Sequence, residues 1–130
     1  HVVAGYYAGL GTFGDSHNLL TKEYGPRVRL VSVLTDAPVE PDGKLEKRLC
    51  IHCKLCQRAC PSRCFADKAR DLYEMDKRAC TEYHLKLIKE HRFPCGVCAA
   101  VCPVGEDRKL FRGVEPVTKE GASHLRSYGS

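Results

Sequence analysis

Four cysteines carry the first chemistry this sequence suggests. They stand as Cys50-x2-Cys53-x2-Cys56-x3-Cys60 and are followed by Pro61. Two-residue gaps let a tight loop wrap three thiolates around one cube of iron and sulfide, with the loop's N–H groups turned toward the sulfides. The fourth cysteine lies one helical turn on and points away, toward a second cube. A partner motif, Cys95-x2-Cys98-x3-Cys102-Pro103, has the second half of the same pattern and lacks one cysteine. Cys80, on a helix just ahead of it, is the natural replacement. Exchange of fourth ligands then predicts one [4Fe-4S] cluster on Cys50, Cys53, Cys56 and Cys102 and another on Cys60, Cys80, Cys95 and Cys98. Eight ligands are used and none is doubled.

The first run has the spacing of bacterial ferredoxin ligation. Structural zinc also uses C-x2-C pairs, but zinc sites come as two separated pairs and give no reason for a third cysteine two residues on. Disulfides fit poorly, because the nine cysteines are odd in number and those inside C-x2-C-x2-C cannot pair usefully with one another. Cys64 is left over. It reads either as a buried small hydrophobe beside Phe65 or as a redox-active or alternative ligand.

Other constellations carry less. Gly9, Gly11 and Gly14 satisfy G-x-G-x-x-G, but only Asp15 to Tyr24 remain before Gly25-Pro26, too short for the crossover helix of a dinucleotide site. Glycines that end a helix and turn tightly into a strand are the preferred reading. The six histidines make no H-x3-H pair; His52, inside the first cysteine loop, reads as an exposed loop residue or as a hydrogen-bonding neighbour of a cluster. No Ser-His-Asp, paired-carboxylate or phosphate-loop arrangement occurs. The chain displays cofactor chemistry and no catalytic residue of its own.

The elements that must hold these cysteines are short. Asp76 is a good N-cap for a helix over 77–90, whose Cys80, Tyr83, Leu87 and His91 share one face, and Arg92-Phe93-Pro94 ends it. Arg27 to Leu34 largely alternates polar and apolar and reads as a half-buried strand, with Leu19-Leu20-Thr21 as its antiparallel partner across the Tyr24-Gly25-Pro26 turn. Two prolines, a glycine and five charges mark 37–47 as an exposed linker, 48–112 is the cysteine domain, and 113–130 is a polar tail.

At 130 residues the chain is one small domain or a small domain with an extension. No apolar run approaches the roughly 20 residues of a membrane span, and no basic-then-apolar leader is present, so a cytoplasmic location without a membrane partner is expected. The first residue is His1, which points to a piece of a longer polypeptide. The formal charge of +5 counts every thiol as neutral. With each oxidised cluster and its four thiolates at about −2, the total falls to about +1, so the basic excess mostly offsets cofactors. Lys and Arg interleave with Asp and Glu, as on a solvated mixed-charge surface.

A longer series of residues resembles a known superfamily. Ala8-Gly9-Leu10-Gly11-x-x-Gly14, Asn18-Leu19-Leu20, and Tyr24-Gly25-Pro26-Arg27-Val28-Arg29-Leu30-x-Ser32-Val33-Leu34-Thr35-Asp36, followed by the cysteine motifs, is similar to the C-terminal part of epoxyqueuosine reductase and its relatives, the corrinoid-dependent reductive dehalogenases. The resemblance covers roughly residues 4–112. It implies an α+β fold: a bacterial-ferredoxin-like dicluster module preceded by the last helix and strands of a nitroreductase-like domain that binds cobalamin. Residues 1–36 would be that C-terminal piece, with Gly9, Gly11 and Gly14 as a corrinoid-facing turn. The clusters would pass single electrons from an external low-potential donor to the corrinoid. The implied partner is the N-terminal corrinoid-binding domain or a redox partner protein; tRNA is a partner that no residue here supports. The sequence departs from the tRNA-modifying enzymes in Pro94-Cys95-Gly96-Val97-Cys98-Ala99, where they have Gly-Cys-Asp-x-Cys-Gln, and in Val104-Gly105-Glu106-Asp107-Arg108, where they have Trp-Asn. A specificity other than queuosine is thereby implied. A free-standing dicluster carrier and a zinc-stapled interaction module are the alternatives.

Overall fold

A computed structural model of the chain describes residues 1–65, 74–92 and 94–109. The expected tail over 113–130 lies outside them. The order of elements is α1 (Val2–Tyr7), β1 (Thr12–Phe13), β2 (Leu19–Leu20), α2 (Leu55–Arg58), α3 (Lys77–Lys89) and α4 (Val97–Ala100), closed by a 3-10 turn over Glu106–Lys109. Helices and one small sheet together are compatible with the expected α+β class.

Helix α1 is short because Gly9 follows it in the left-handed region (φ +73°), where a glycine costs least. A Cβ there would also lie 2.2 Å from the Gly43 carbonyl oxygen, so the linker passes directly over the helix end. At Gly11 a Cβ would meet the Leu20 carbonyl oxygen at 2.1 Å, which explains a glycine immediately before β1. The glycine motif thus ends a helix and leads into a strand. The two strands pair antiparallel, Thr12 opposite Leu20 and Phe13 opposite Leu19. They bury Leu19 and Leu20 almost completely, together with Thr12, Ser16 and Thr21.

The expected strand over Arg27–Leu34 is not formed, and its expected partner is engaged elsewhere. Leu19 and Leu20 take β1 instead, and Thr21 exchanges both backbone hydrogen bonds with Gly25 at 2.9 Å. A strand needs a neighbour for its N–H and C=O groups. Among the described residues no strand pairs with 28–34: Val28 and Leu30 are half-buried beside Val2 and Leu19, and Ser32 Oγ lies 2.9 Å from His1 Nδ1, while Val31, Val33 and Leu34 are 82%, 79% and 97% exposed.

The helix at α3 starts where Asp76 predicts: its Oδ1 accepts the Ala79 N–H at 2.9 Å. Of its expected inward face, Leu87 is buried, Cys80 and Tyr83 are half-buried, and His91 is exposed. Helices α2 and α4 are single turns that pack on each other, one behind each cysteine loop. Their ends match: Ala59 N–H reaches Leu55 and Cys60 N–H reaches Gln57, as Val101 reaches Val97 and Cys102 reaches Ala99. Cys60 and Cys102 thereby hold equivalent places after their helices.

A candidate pair of metal centres

The first set of thiols gathers round one pocket. Cys50, Cys53, Cys56 and Cys102 line one partly open pocket that Gly14, Asp15, Ser16, Leu20, Lys54 and Val104 help to form. The loop carrying the first three is tightly turned, with His52 and Lys54 on either side of Cys53 both in the left-handed region (φ 53° and 61°). Non-glycine residues adopt that conformation rarely, and it concentrates where a site demands it. The N-terminal segment fixes the loop. Thr12 Oγ1 accepts the Leu49 N–H at 3.0 Å, and Asp15 holds both His52 Nδ1 and Lys54 Nζ at 2.9 Å. Burial pushes the Asp15 carboxyl up, but the Lys54 and His52 bonds outweigh it and leave it below the ordinary carboxylate range. Asp15, Cys50 and His52 also bring three ligand atoms within 4.8 Å of one another, yet the Lys54 ammonium on Asp15 already supplies the positive charge there.

Cys102 enters this set from the second motif, and Arg27 holds it there. The Arg27 guanidinium donates to both Asp107 carboxylate oxygens at 2.6 Å, to the carbonyls of Val104 at 2.6 Å and Cys102 at 2.9 Å, and to that of Ala99 at 3.3 Å. Gly25 (φ +55°) and Gly105 (φ +123°) let the two chains approach closely enough for this, since a Cβ on Gly25 would lie 2.0 Å from the Val104 oxygen. Glu106 and Asp107 then donate backbone N–H bonds to Lys22 and Glu23.

The second set is assembled from three places in the chain. Cys60, Cys80, Cys95 and Cys98 lie close enough that Cys60 and Cys95 each raise the thiols of Cys80 and Cys98, although burial is the larger cause for both. Cys64 adjoins this set: it is 3% exposed and its sulfur lies 3.5 Å from that of Cys60. Burial pushes the Cys64 thiol up to about 12. Asn18, from the loop between β1 and β2, donates its Nδ2 to Cys98 Sγ at 3.6 Å.

The donor chemistry fits a metal cluster. Burial is the largest cause raising Cys56, to about 11, and also raises Cys98 and Cys102, so these thiolates are disfavoured until a cation replaces the proton. Their spacing bears on which one. Tetrahedral zinc at about 2.3 Å from each sulfur would set the sulfurs about 3.8 Å apart. Among the described residues no three cysteine sulfurs lie within 4.8 Å of one another.

Comparison with known proteins agrees with the earlier resemblance. The chain is 33% identical over 112 residues to tetrachloroethene reductive dehalogenase of Sulfurospirillum multivorans, covering 74% of this chain and 22% of that protein. It is 29% identical over 122 residues to epoxyqueuosine reductase of Listeria monocytogenes, covering 84% and 31%, and 30% identical over 105 residues to that of Synechococcus, covering 74% and 31%. This chain is a relative of both kinds of reductase. It spans between about a fifth and a third of the length of these relatives, so its likeness is to an oxidoreductase region and not to a whole enzyme. No family model and no solved structure matches it.

The spacing of the cysteines gave the expectation of two sets. It did not reveal Asp15, Asn18, Arg27 or Asp107, which act from far along the chain. Asn18 and Arg27 stood inside the motifs that carried the resemblance, but nothing in those motifs says that their partners are Cys98 and Asp107. Among the described residues no helix is long and apolar enough to cross a membrane.

Proposed function

We propose that this chain relays single electrons through two [4Fe-4S] clusters to a corrinoid held by a further domain of an epoxyqueuosine-reductase-like oxidoreductase. One cluster would sit on Cys50, Cys53, Cys56 and Cys102 and the other on Cys60, Cys80, Cys95 and Cys98. The observation that carries the reading is the placement of two thiols: Cys102 lines the pocket of the first loop, while Cys60 is an electrostatic neighbour of Cys80 and Cys98, as Cys95 is. Bound there, the clusters would supply one-electron transfer. The chain's own part is to hold the thiolates on the packed α2–α4 pair and, with Leu20 lining the first pocket, to limit water there.

The extended stretch over 28–34 supports a further domain. Three nearly bare aliphatic side chains on a strand-like sequence are costly in water and gain from a sheet to join. Identity with a tetrachloroethene reductive dehalogenase and with an epoxyqueuosine reductase is at similar levels, 33% and 29%.

The test is composition. Chain purified without oxygen should carry iron and acid-labile sulfide at about eight each. Zinc at one or two per chain without sulfide would refute the reading. The same native preparation, assayed for intact mass and cobalamin, separates a reductase from a free-standing carrier: a native chain near 14.5 kDa with iron and no corrinoid would be the carrier.

A further inference from the structure

The two thiol sets differ in what surrounds them. The first is bordered by ion pairs, Asp15 with Lys54 and His52, and Arg27 with Asp107. The second is bordered by neutral hydrogen-bond donors that are not themselves among the eight expected ligands. Asn18 Nδ2 donates to Cys98 Sγ at 3.6 Å. Ser62 Oγ lies 3.3 Å and Cys64 Sγ 3.5 Å from Cys60 Sγ. When Cys60 is a thiolate ligand it has no proton to give, so the Ser62 hydroxyl and the Cys64 thiol are the donors.

These donors are well held. Cys64 is buried, and its carbonyl accepts the Asp76 N–H at 2.8 Å, which ties it to the start of α3, the helix that carries Cys80. Phe65 and Met75 bridge next to it. Asn18 sits one residue before β2, with Leu19 and Leu20 buried behind it and its Nδ2 also within 3.3 Å of Ser16 Oγ. The N-terminal segment and the turn after Pro61 thus each reach a different thiol of the second set, Cys98 and Cys60.

We propose that Asn18, Ser62 and Cys64 are positioning residues that donate hydrogen bonds to ligand sulfurs of the second centre, raise its reduction potential, and so set how one electron divides between the two centres. A hydrogen bond to a ligating sulfur draws off electron density and favours the more negative, reduced state. The exchange itself is balanced within the chain, one centre losing the electron the other gains, with an external one-electron donor of low potential supplying it. The inference rests on the proposed pair of clusters and assigns Cys64 a place beside the metal without ligating it.

The experiment is a reductive titration of the full chain, purified without oxygen and followed by the spin signals of the two centres, with iron counted on each sample. Asn18→Leu and Ser62→Ala should each move one midpoint, the same one, to more negative values and leave the other in place. Together they should change the exchange equilibrium about tenfold, which for a one-electron couple is about 59 mV. Ser62→Thr, which keeps a hydroxyl, should restore the potential, a recovery that a purely structural role would not produce. Cys64→Ala should keep the full iron content and lower the same midpoint. Unmoved midpoints, or both midpoints moving together, would overturn the inference, as would loss of about half the iron in Cys64→Ala, which would make Cys64 a ligand. Wild-type chain without iron would instead overturn the two-cluster reading beneath it.

Discussion

Arg27→Met is the substitution that tests how the second cysteine motif is held in register with the first. The guanidinium makes five donor contacts, two of them the paired bonds to Asp107, and the two side chains are only 21% and 14% exposed. A solvated pair would contribute at most about 1 kcal/mol, whereas removing one partner of a buried pair costs about 3–5 kcal/mol. This clamp lies between those limits, and the carbonyls of Val104 and Cys102 lose a charged donor as well. We expect Arg27→Met to cost about 2–4 kcal/mol and Asp107→Asn about 1–2 kcal/mol, because an amide oxygen still accepts one N–H. With a urea dependence of about 1–3 kcal/mol per molar, the first change lowers the unfolding midpoint by about 1–2 M. A double-mutant cycle across the two positions should return a coupling of about 1–3 kcal/mol. The Arg27 bond holds the Asp107 carboxyl below its ordinary value of 3.8, so its contribution is complete above that value and is lost as the pH falls through the depressed one. The coupling should therefore be the same at pH 6 and pH 8. Iron analysis adds a second reading: a displaced Cys102 should weaken the first centre and spare the second. A coupling below about 0.5 kcal/mol with full iron retained would refute the reasoning, since the clamp would then be an ordinary surface pair that positions nothing.

Other expectations follow from particular residues. Cys80→Ser should leave about half the iron and one reducible signal, measured by iron analysis and spin resonance; loss of both centres or of neither would count against exchanged fourth ligands. Gly11→Ala should destabilise the β1–β2 pair, because its Cβ would fall 2.1 Å from the Leu20 carbonyl oxygen, and a midpoint equal to wild type in urea would show that the hairpin can yield. Asp76→Ala should cost about 1 kcal/mol through the lost cap on Ala79 N–H, with Asp76→Ser retaining most of it in the same assay. Replacement of Val31, Val33 and Leu34 together by Thr should leave iron content and urea midpoint unchanged in this chain, since all three are exposed; a fall in either would place them against the fold.

Local signals in the sequence determined the parts whose physics is local. Two-residue gaps bring sulfurs to one side of a tight loop whatever surrounds it, a prolyl ring resets the chain after each motif, and Asp76 caps a helix through a bond only three residues long. The same holds for Gly9, which ends α1 by its own backbone freedom. Tertiary structure decided what depends on a partner distant in sequence. Alternation made 27–34 look like a strand, but a strand exists only beside another, and β2 had already paired with β1. Spacing could not say that Arg27 would reach Asp107 eighty residues on, that Asp15 would take His52 and Lys54 from the first loop, or that Asn18 would reach Cys98. Each of those bonds forms because packed glycines and buried leucines bring remote chain segments within about 3 Å, and no local pattern records which segments those will be.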